Sequence, residues 1–204
     1  MVWFTSDWHA FSDERVRSTF SPFSSGTEMT EVLIANVNSL LKPDDVLYIV
    51  GDFVNYTAID TESWRDGLAV AKQLNCRVEL LLGNNEKRLI QDQKLTVQRF
   101  QHLCRKNNIR NVREYKLIRR SNGKMLFVAH KPIDCMADTL CAFGHIHTLG
   151  PVTGLGYNVC CFCNHFRPVS LEQIEQACAL VKEYFGHERS ARKLVSTDWK
   201  NWSR

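Results

Sequence analysis

Asp, Asn and His recur at the ends of short apolar runs all along this chain, and that repetition limits the possible folds more than any other feature. Val2–Thr5 leads into Ser6-Asp7-Trp8-His9, Val46–Val50 into Gly51-Asp52-Phe53, and Val78–Leu82 into Gly83-Asn84-Asn85-Glu86. Met125–Ala129 leads into His130-Lys131-Pro132, and Thr139–Phe143 into Gly144-His145-Ile146-His147. Runs this short and this apolar read as buried strands, and two more fall at Lys116–Ile118 and Asn158–Phe162. Between them, helical spacing covers Thr30–Leu41, Ser63–Leu74, Lys94–Lys106 and Leu171–Phe185. Thr30 is placed to cap the first of these and Ser170 the last, with Gln173 as its capping-box partner. The alternation predicts an α/β domain with helices over a mostly parallel or mixed sheet. In such sheets, sites gather at the carboxyl ends of the strands, where all five polar motifs lie.

Length and composition agree with one folded unit. The chain has 204 residues, 44% hydrophobic and 24% charged, which excludes a disordered chain, a fibre and a small disulfide scaffold. A folded domain is expected over residues 1–185 and a basic tail, carrying Trp199 and Trp202, over 186–204. The start lacks the basic and apolar regions of a secretory signal, and no apolar run reaches membrane-spanning length. The expectation is therefore a cytoplasmic protein with no membrane partner, its eight cysteines present as thiols. Cys160 and Cys163 have CxxC spacing but no second ligand pair, so these thiols read as filling for a buried strand over Tyr157–Phe162.

The polar motifs suit metal chemistry. A pair of divalent ions needs a carboxylate to bridge them, with imidazoles and hard oxygens around it. Asp7, Asp52, Asn84 and the histidines His9, His130, His145 and His147 supply that set without a thiol. Manganese leads the expected ions, with iron, zinc and nickel also compatible.

The ordered series Asp-x-His, Gly-Asp, Gly-Asn-x-Glu, His and Gly-His-x-His resembles the calcineurin-like metallophosphoesterase superfamily. The late stretch Arg167-Pro168-Val169-Ser170-Leu171-Glu172 resembles the small bacterial and phage members. That resemblance implies a four-layer α/β/β/α sandwich of two mixed sheets. It assigns Asp7, His9 and His147 to one metal, Asn84, His130 and His145 to a second, and Asp52 as the bridge. It implies phosphoester hydrolysis by a metal-bound hydroxide.

The chain departs from the family at one position: Asn85 stands where the pattern has histidine. In the family that histidine is thought to protonate the leaving oxygen, which asparagine cannot do. Three readings follow. The chain is a phosphodiesterase on a nucleotide-type substrate, a phosphomonoesterase with a substitute acid, or a weakly catalytic metal-bound scaffold. The substitute would be His165, the only other histidine in a plausible site loop. Glu86 would cap the helix after it or hold a ligand in place.

The net charge of +4 conceals strong segregation. Residues 1–86 carry 6 Lys/Arg and 13 Asp/Glu, whereas residues 87–124 carry 12 and 2. A basic segment starting beside a ligand motif would attract polyanions, nucleic acid among them. Only Phe100 and Tyr115 are aromatic within it, which is thin for base stacking.

Overall fold

The computed structural model describes residues 1–185 apart from 20, 58–59, 135–138, 148–149 and 154–155, with side chains to residue 180. The basic tail expected over 186–204 lies outside the described residues. Two mixed five-stranded sheets form the framework. The first runs β10 (Val169–Ser170), β1 (Val2–Thr5), β2 (Val46–Val50), β3 (Arg77–Leu81), β4 (Ile109–Arg113). The second runs β5 (Tyr115–Arg119), β6 (Met125–Ala129), β7 (Leu140–Phe143), β9 (Gly156–Asn158), β8 (Val152–Thr153). β1, β2, β3 and β4 are parallel, as are β6, β7 and β9, so each group ends its strands on one side.

Strand alternation explains why the sheets stack. In β2, Leu47 and Ile49 point to one buried face, and Tyr48 and Val50 to the other. The second face meets Leu126 and Val128 of β6, Ala142 of β7 and Tyr157 of β9 in a core between the sheets. The first is covered by α2 (Gly26–Leu40), α3 (Trp64–Ala69) and α5 (Val97–Lys106), through Met29, Leu33, Val37, Leu68, Phe100 and Cys104. α6 (Leu171–Phe185) touches β1, β8, β9 and β10, and its Ile174 enters the core between the sheets.

Several boundaries differ from expectation. The α2 helix starts at Gly26, because Ser25 Oγ rather than Thr30 accepts the capping bond, from Glu28 N at 3.1 Å. Thr30 is buried inside the helix, where its Oγ1 accepts from Phe11 N at 2.9 Å and ties α2 to the loop after β1. The strand expected to continue to Phe162 stops at Asn158, and Cys161–Cys163 form a 3-10 turn. At α6 the expected capping box is present: Gln173 N donates to Ser170 Oγ at 3.1 Å and Ser170 N to Gln173 Oε1 at 2.8 Å.

Candidate metal centre

Neighbouring strand ends bring the polar motifs together. After β1, Asp7 N donates to Gly51 O and His9 N to Asp52 O, each at 3.0 Å, which binds the first ligand loop to the loop after β2. Asp7, His9, Asp52 and His145 all adopt a left-handed backbone, with φ of 58°, 40°, 50° and 71°. Side chains rarely tolerate that conformation, and such strain concentrates where function fixes the geometry. Two glycines make room for the ligands. A Cβ on Gly83 would strike the Asp52 carboxylate, and one on Gly144 would strike Ser6 and Asp7.

Glu86 sets the position of Asp52. It lies in α4 (Asn84–Asp92), which begins directly at a ligand motif. Fully buried, its carboxylate accepts from the N–H groups of Gly83, Asp52, Phe53 and Val54 at 2.9 to 3.1 Å. It thereby caps its own helix and holds the Asp52 loop, the two tasks expected of it. Burial and the Asp52 charge push its pKa up to about 7, against N–H donors that favour the anion.

Asp52 is buried and faces two ways. Its Oδ1 lies 3.6 Å from His130 Nε2 and its Oδ2 lies 3.7 Å from His9 Nε2. On the His9 side, His147 Nε2 is 3.2 Å from Asp7 Oδ1, and the His9 and His147 rings are 5.2 Å apart. On the other side, Asn84 Oδ1 is 3.0 Å from both His130 Nε2 and His145 Nδ1, and those rings are 5.1 Å apart. The seven expected ligand residues therefore fall into two groups, with Asp52 between them.

The donor chemistry fits divalent cations. Both ring nitrogens of His9 are buried and lack a hydrogen-bond partner among the described residues. Burial pushes His9 down to about 3, despite the raising effect of Asp52, so the ring is neutral and offers one nitrogen lone pair to a cation. His130 Nδ1 donates to Val50 O at 2.8 Å, which turns Nε2 toward Asn84 and Asp52. A lone pair on that Nε2 would face the Asn84 oxygen with no hydrogen between them, an arrangement a cation resolves. With no cation, burial disfavours the charged His130 ring, yet Asp52 and Asp7 outweigh it and raise its pKa. Burial would raise Asp7, but the hydrogen bond and charge of His147 hold it far below the usual carboxylate range.

Two expected catalytic residues stand differently. Asn85 is buried, with its Oδ1 accepting from Tyr56 N at 3.2 Å and its N–H donating to Asp52 Oδ1 at 2.9 Å. His165 is exposed on a left-handed turn and makes no hydrogen bond or ring contact with the seven residues among those described. A thiol also lies beside the seven residues. Cys160 Sγ lies within 4.8 Å of donor atoms of Asp7 and His147, because the 3-10 turn replaces the expected strand and bends the chain back to β1. Sequence reasoning also passed over Ser6, whose Oγ donates to Asp7 Oδ2 at 2.5 Å, and Phe162, which stacks on His147 at 5.4 Å.

The basic segment forms α4, α5, β4, β5 and the turn after β5. Three of its side chains are paired: Lys87 with Glu114, Arg88 with Asp92 and Arg120 with Glu175. Arg99, Arg105, Lys106, Arg110 and Arg113 are exposed. Among the described residues, no helix is long and apolar enough to cross a membrane.

Comparison with known proteins gives a family and a likeness of fold. A family model described as calcineurin-like phosphoesterase matches residues 1–161. A crystal structure of AQ665, a protein of unknown function from Aquifex aeolicus, superposes with a TM-score of 0.65 at 20% identity. It covers 87% of this chain and 98% of its own, a likeness of fold. A novel archaeal phosphodiesterase aligns with a TM-score of 0.42 at 14% identity, over 72% of this chain and 73% of its own. No curated protein matches. With the family model spanning most of the chain and the motif residues gathered at the strand ends, the chain belongs to the calcineurin-like phosphoesterase family.

Proposed function

We propose that this chain is a phosphodiesterase holding two divalent ions, acting on a nucleotide-type substrate. One observation carries the reading: the two oxygens of buried Asp52 face different histidines, His130 and His9, each within a separate donor group. Asp7, His9 and His147 would hold one ion, Asn84, His130 and His145 the other, and Asp52 both. Manganese, iron, zinc or nickel suits these oxygen and nitrogen donors. Such ions supply Lewis-acid charge that stabilises phosphoryl oxygens and acidifies water.

The protein's own groups orient that machinery. Ser6 Oγ and His145 N both donate to the Asp7 carboxylate and fix its rotation. Val50 O and the Asp52 charge hold His130 in place. The Lys131 charge reaches His145 and is placed to attract an anionic substrate.

The preference for diesters rests on what surrounds the leaving group. Asn85 cannot transfer a proton, and His165 is exposed and makes no hydrogen bond or ring contact with the seven residues among those described. A leaving group that departs without a protein proton must be acidic in its own right, as an aryl oxide is, or take its proton from water, as the sugar alkoxide of a nucleotide diester would. The exposed arginines of α5 and β4 support attraction of a polyanion. The seven described cysteines are thiols, in keeping with a cytoplasmic setting.

The test is hydrolysis of a bis-aryl phosphate and an aryl phosphate monoester, by metal-free protein and by protein given manganese. Metal-dependent cleavage of the diester, faster than the monoester, is expected. Asp52→Asn should lower it by more than about 100-fold, beyond the loss typical of a residue that merely supports a ligand. Undiminished turnover in chelator, or in Asp52→Asn, would overturn the reading.

A further inference from the structure

Cys160 Sγ, a carboxylate oxygen of Asp7 and a ring nitrogen of His147 all lie within 4.8 Å of one another. Cys160 is fully buried, and its backbone is held from several directions. It forms an isolated parallel bridge with Ser6, reinforced by Cys161 N donating to Ser6 O at 3.1 Å. Cys160 N donates to Asn158 Oδ1 at 3.1 Å, and Cys160 O accepts from Asn164 Nδ2 at 2.8 Å. Asn164 is fixed in turn by Tyr157 OH, which donates to its Oδ1 at 3.0 Å. Asn158 Nδ2 donates to Ile146 O at 2.6 Å, joining this turn to the loop that carries His147. Asp7 directly follows Ser6, and His147 directly follows Ile146. The sulfur and its two neighbours therefore share one rigid frame, as a metal-ligand group requires.

We propose that Cys160 supplies a thiolate to the ion held by Asp7 and His147, making that half of the centre a mixed oxygen, nitrogen and sulfur site. This inference rests on the metal reading above. On coordination the Sγ–H proton leaves to solvent and an Sγ–metal bond replaces the S–H bond, with no change of oxidation state. A coordinated thiol gives up its proton. Sulfur also changes which ions the site prefers. Thiolate favours zinc and cobalt over manganese, whereas the purely oxygen and nitrogen half discriminates less.

Cobalt(II) alone is the probe, added to metal-free full-length protein under reducing conditions. Visible d–d bands together with a near-ultraviolet thiolate-to-cobalt charge-transfer band are expected. Cys160→Ser should lose the charge-transfer band and keep the d–d bands, while Cys161→Ser and Cys163→Ser keep both. Competition should show the preference for zinc over manganese falling about tenfold or more in Cys160→Ser. If Cys160→Ser fails to fold, Cys160→Ala and the wild-type spectrum still decide the question. Wild-type d–d bands without charge transfer, or charge transfer that survives loss of Cys160, would overturn the proposal. Absence of any cobalt band would instead overturn the metal reading on which it rests.

Discussion

Asn85 braces two loops at once: its side chain accepts from Tyr56 N while its backbone N–H donates to Asp52 Oδ1. A histidine there could keep the acceptor role through one ring nitrogen and bring a transferable proton on the other. Asn85→His should therefore raise monoester turnover relative to diester turnover, by up to about 100-fold, the lower range of general acid catalysis. Steady-state rates on an alkyl phosphate monoester and an alkyl phosphate diester, whose alkoxide leaving groups need a proton, read that ratio, and an unchanged ratio would show that the missing proton donor does not set the preference. At this scale much of the candidate site was legible. Asp7, Asp52, Asn84 and the four histidines each follow an apolar run, and parallel strands bring their ends together. Cys160 was not legible as a neighbour of Asp7. Its placement depends on a chain reversal held by Asn158 and Asn164, which alternation alone does not reveal.

Helix α6 shows how an element is tied to the rest. Arg120 Nε and Ser121 Oγ, beyond β5, donate to the Glu175 carboxylate at 3.0 and 2.7 Å. Burial works against that carboxylate, but the bonds from Ser121 and Arg120 outweigh it and hold its pKa below the ordinary 4.5. A lowered folded pKa means the stabilisation is complete above pH 4.5 and is lost as pH falls through the folded value. Glu175→Gln should lower the melting temperature at pH 7 by a few degrees, for a pair worth about 1 kcal/mol. As pH falls below the folded value the variant and wild type should converge, as paired thermal scans across a pH series would show. Of the elements, β1, β2, β6 and α6 match the sequence reading to the residue, because their apolar patterns are uninterrupted. β4 and α4 escaped it. β4 is an edge strand whose exposed positions are arginines, and α4 is capped by Glu86 from its first turn because its N-cap residue, Gly83, has no side chain.

Across the whole molecule, the first sheet presents Asp7, His9, Asp52 and Asn84, and the second presents His130, His145 and His147. Ions bound between them would cross-link the two sheets. An ion at roughly a thousand times its Kd contributes about 4 kcal/mol, and a chain of this size shifts by about 2–4 °C for each kcal/mol. Chelation should thus lower the melting temperature by about 10 °C, and manganese or zinc should restore it, as differential scanning calorimetry would show. Equal melting with and without chelator would mean that no ion bridges the sheets. Helices over a mixed sheet were legible from the order of strands and helices, and the two-sheet sandwich only through the family resemblance, whereas the closure of α6 over β1, β8, β9 and β10 depends on long-range packing.

The left-handed backbone at Asp7, His9, Asp52 and His145 has an evolutionary consequence. Each costs on the order of 1 kcal/mol relative to glycine, so drift toward a more stable chain runs through these four positions. Every such step would remove a residue of the candidate metal centre. Lineages that relax selection on turnover should lose these residues early and gain robustness as they do. Their presence in this chain, four times over, marks a fold kept tense at its candidate metal centre.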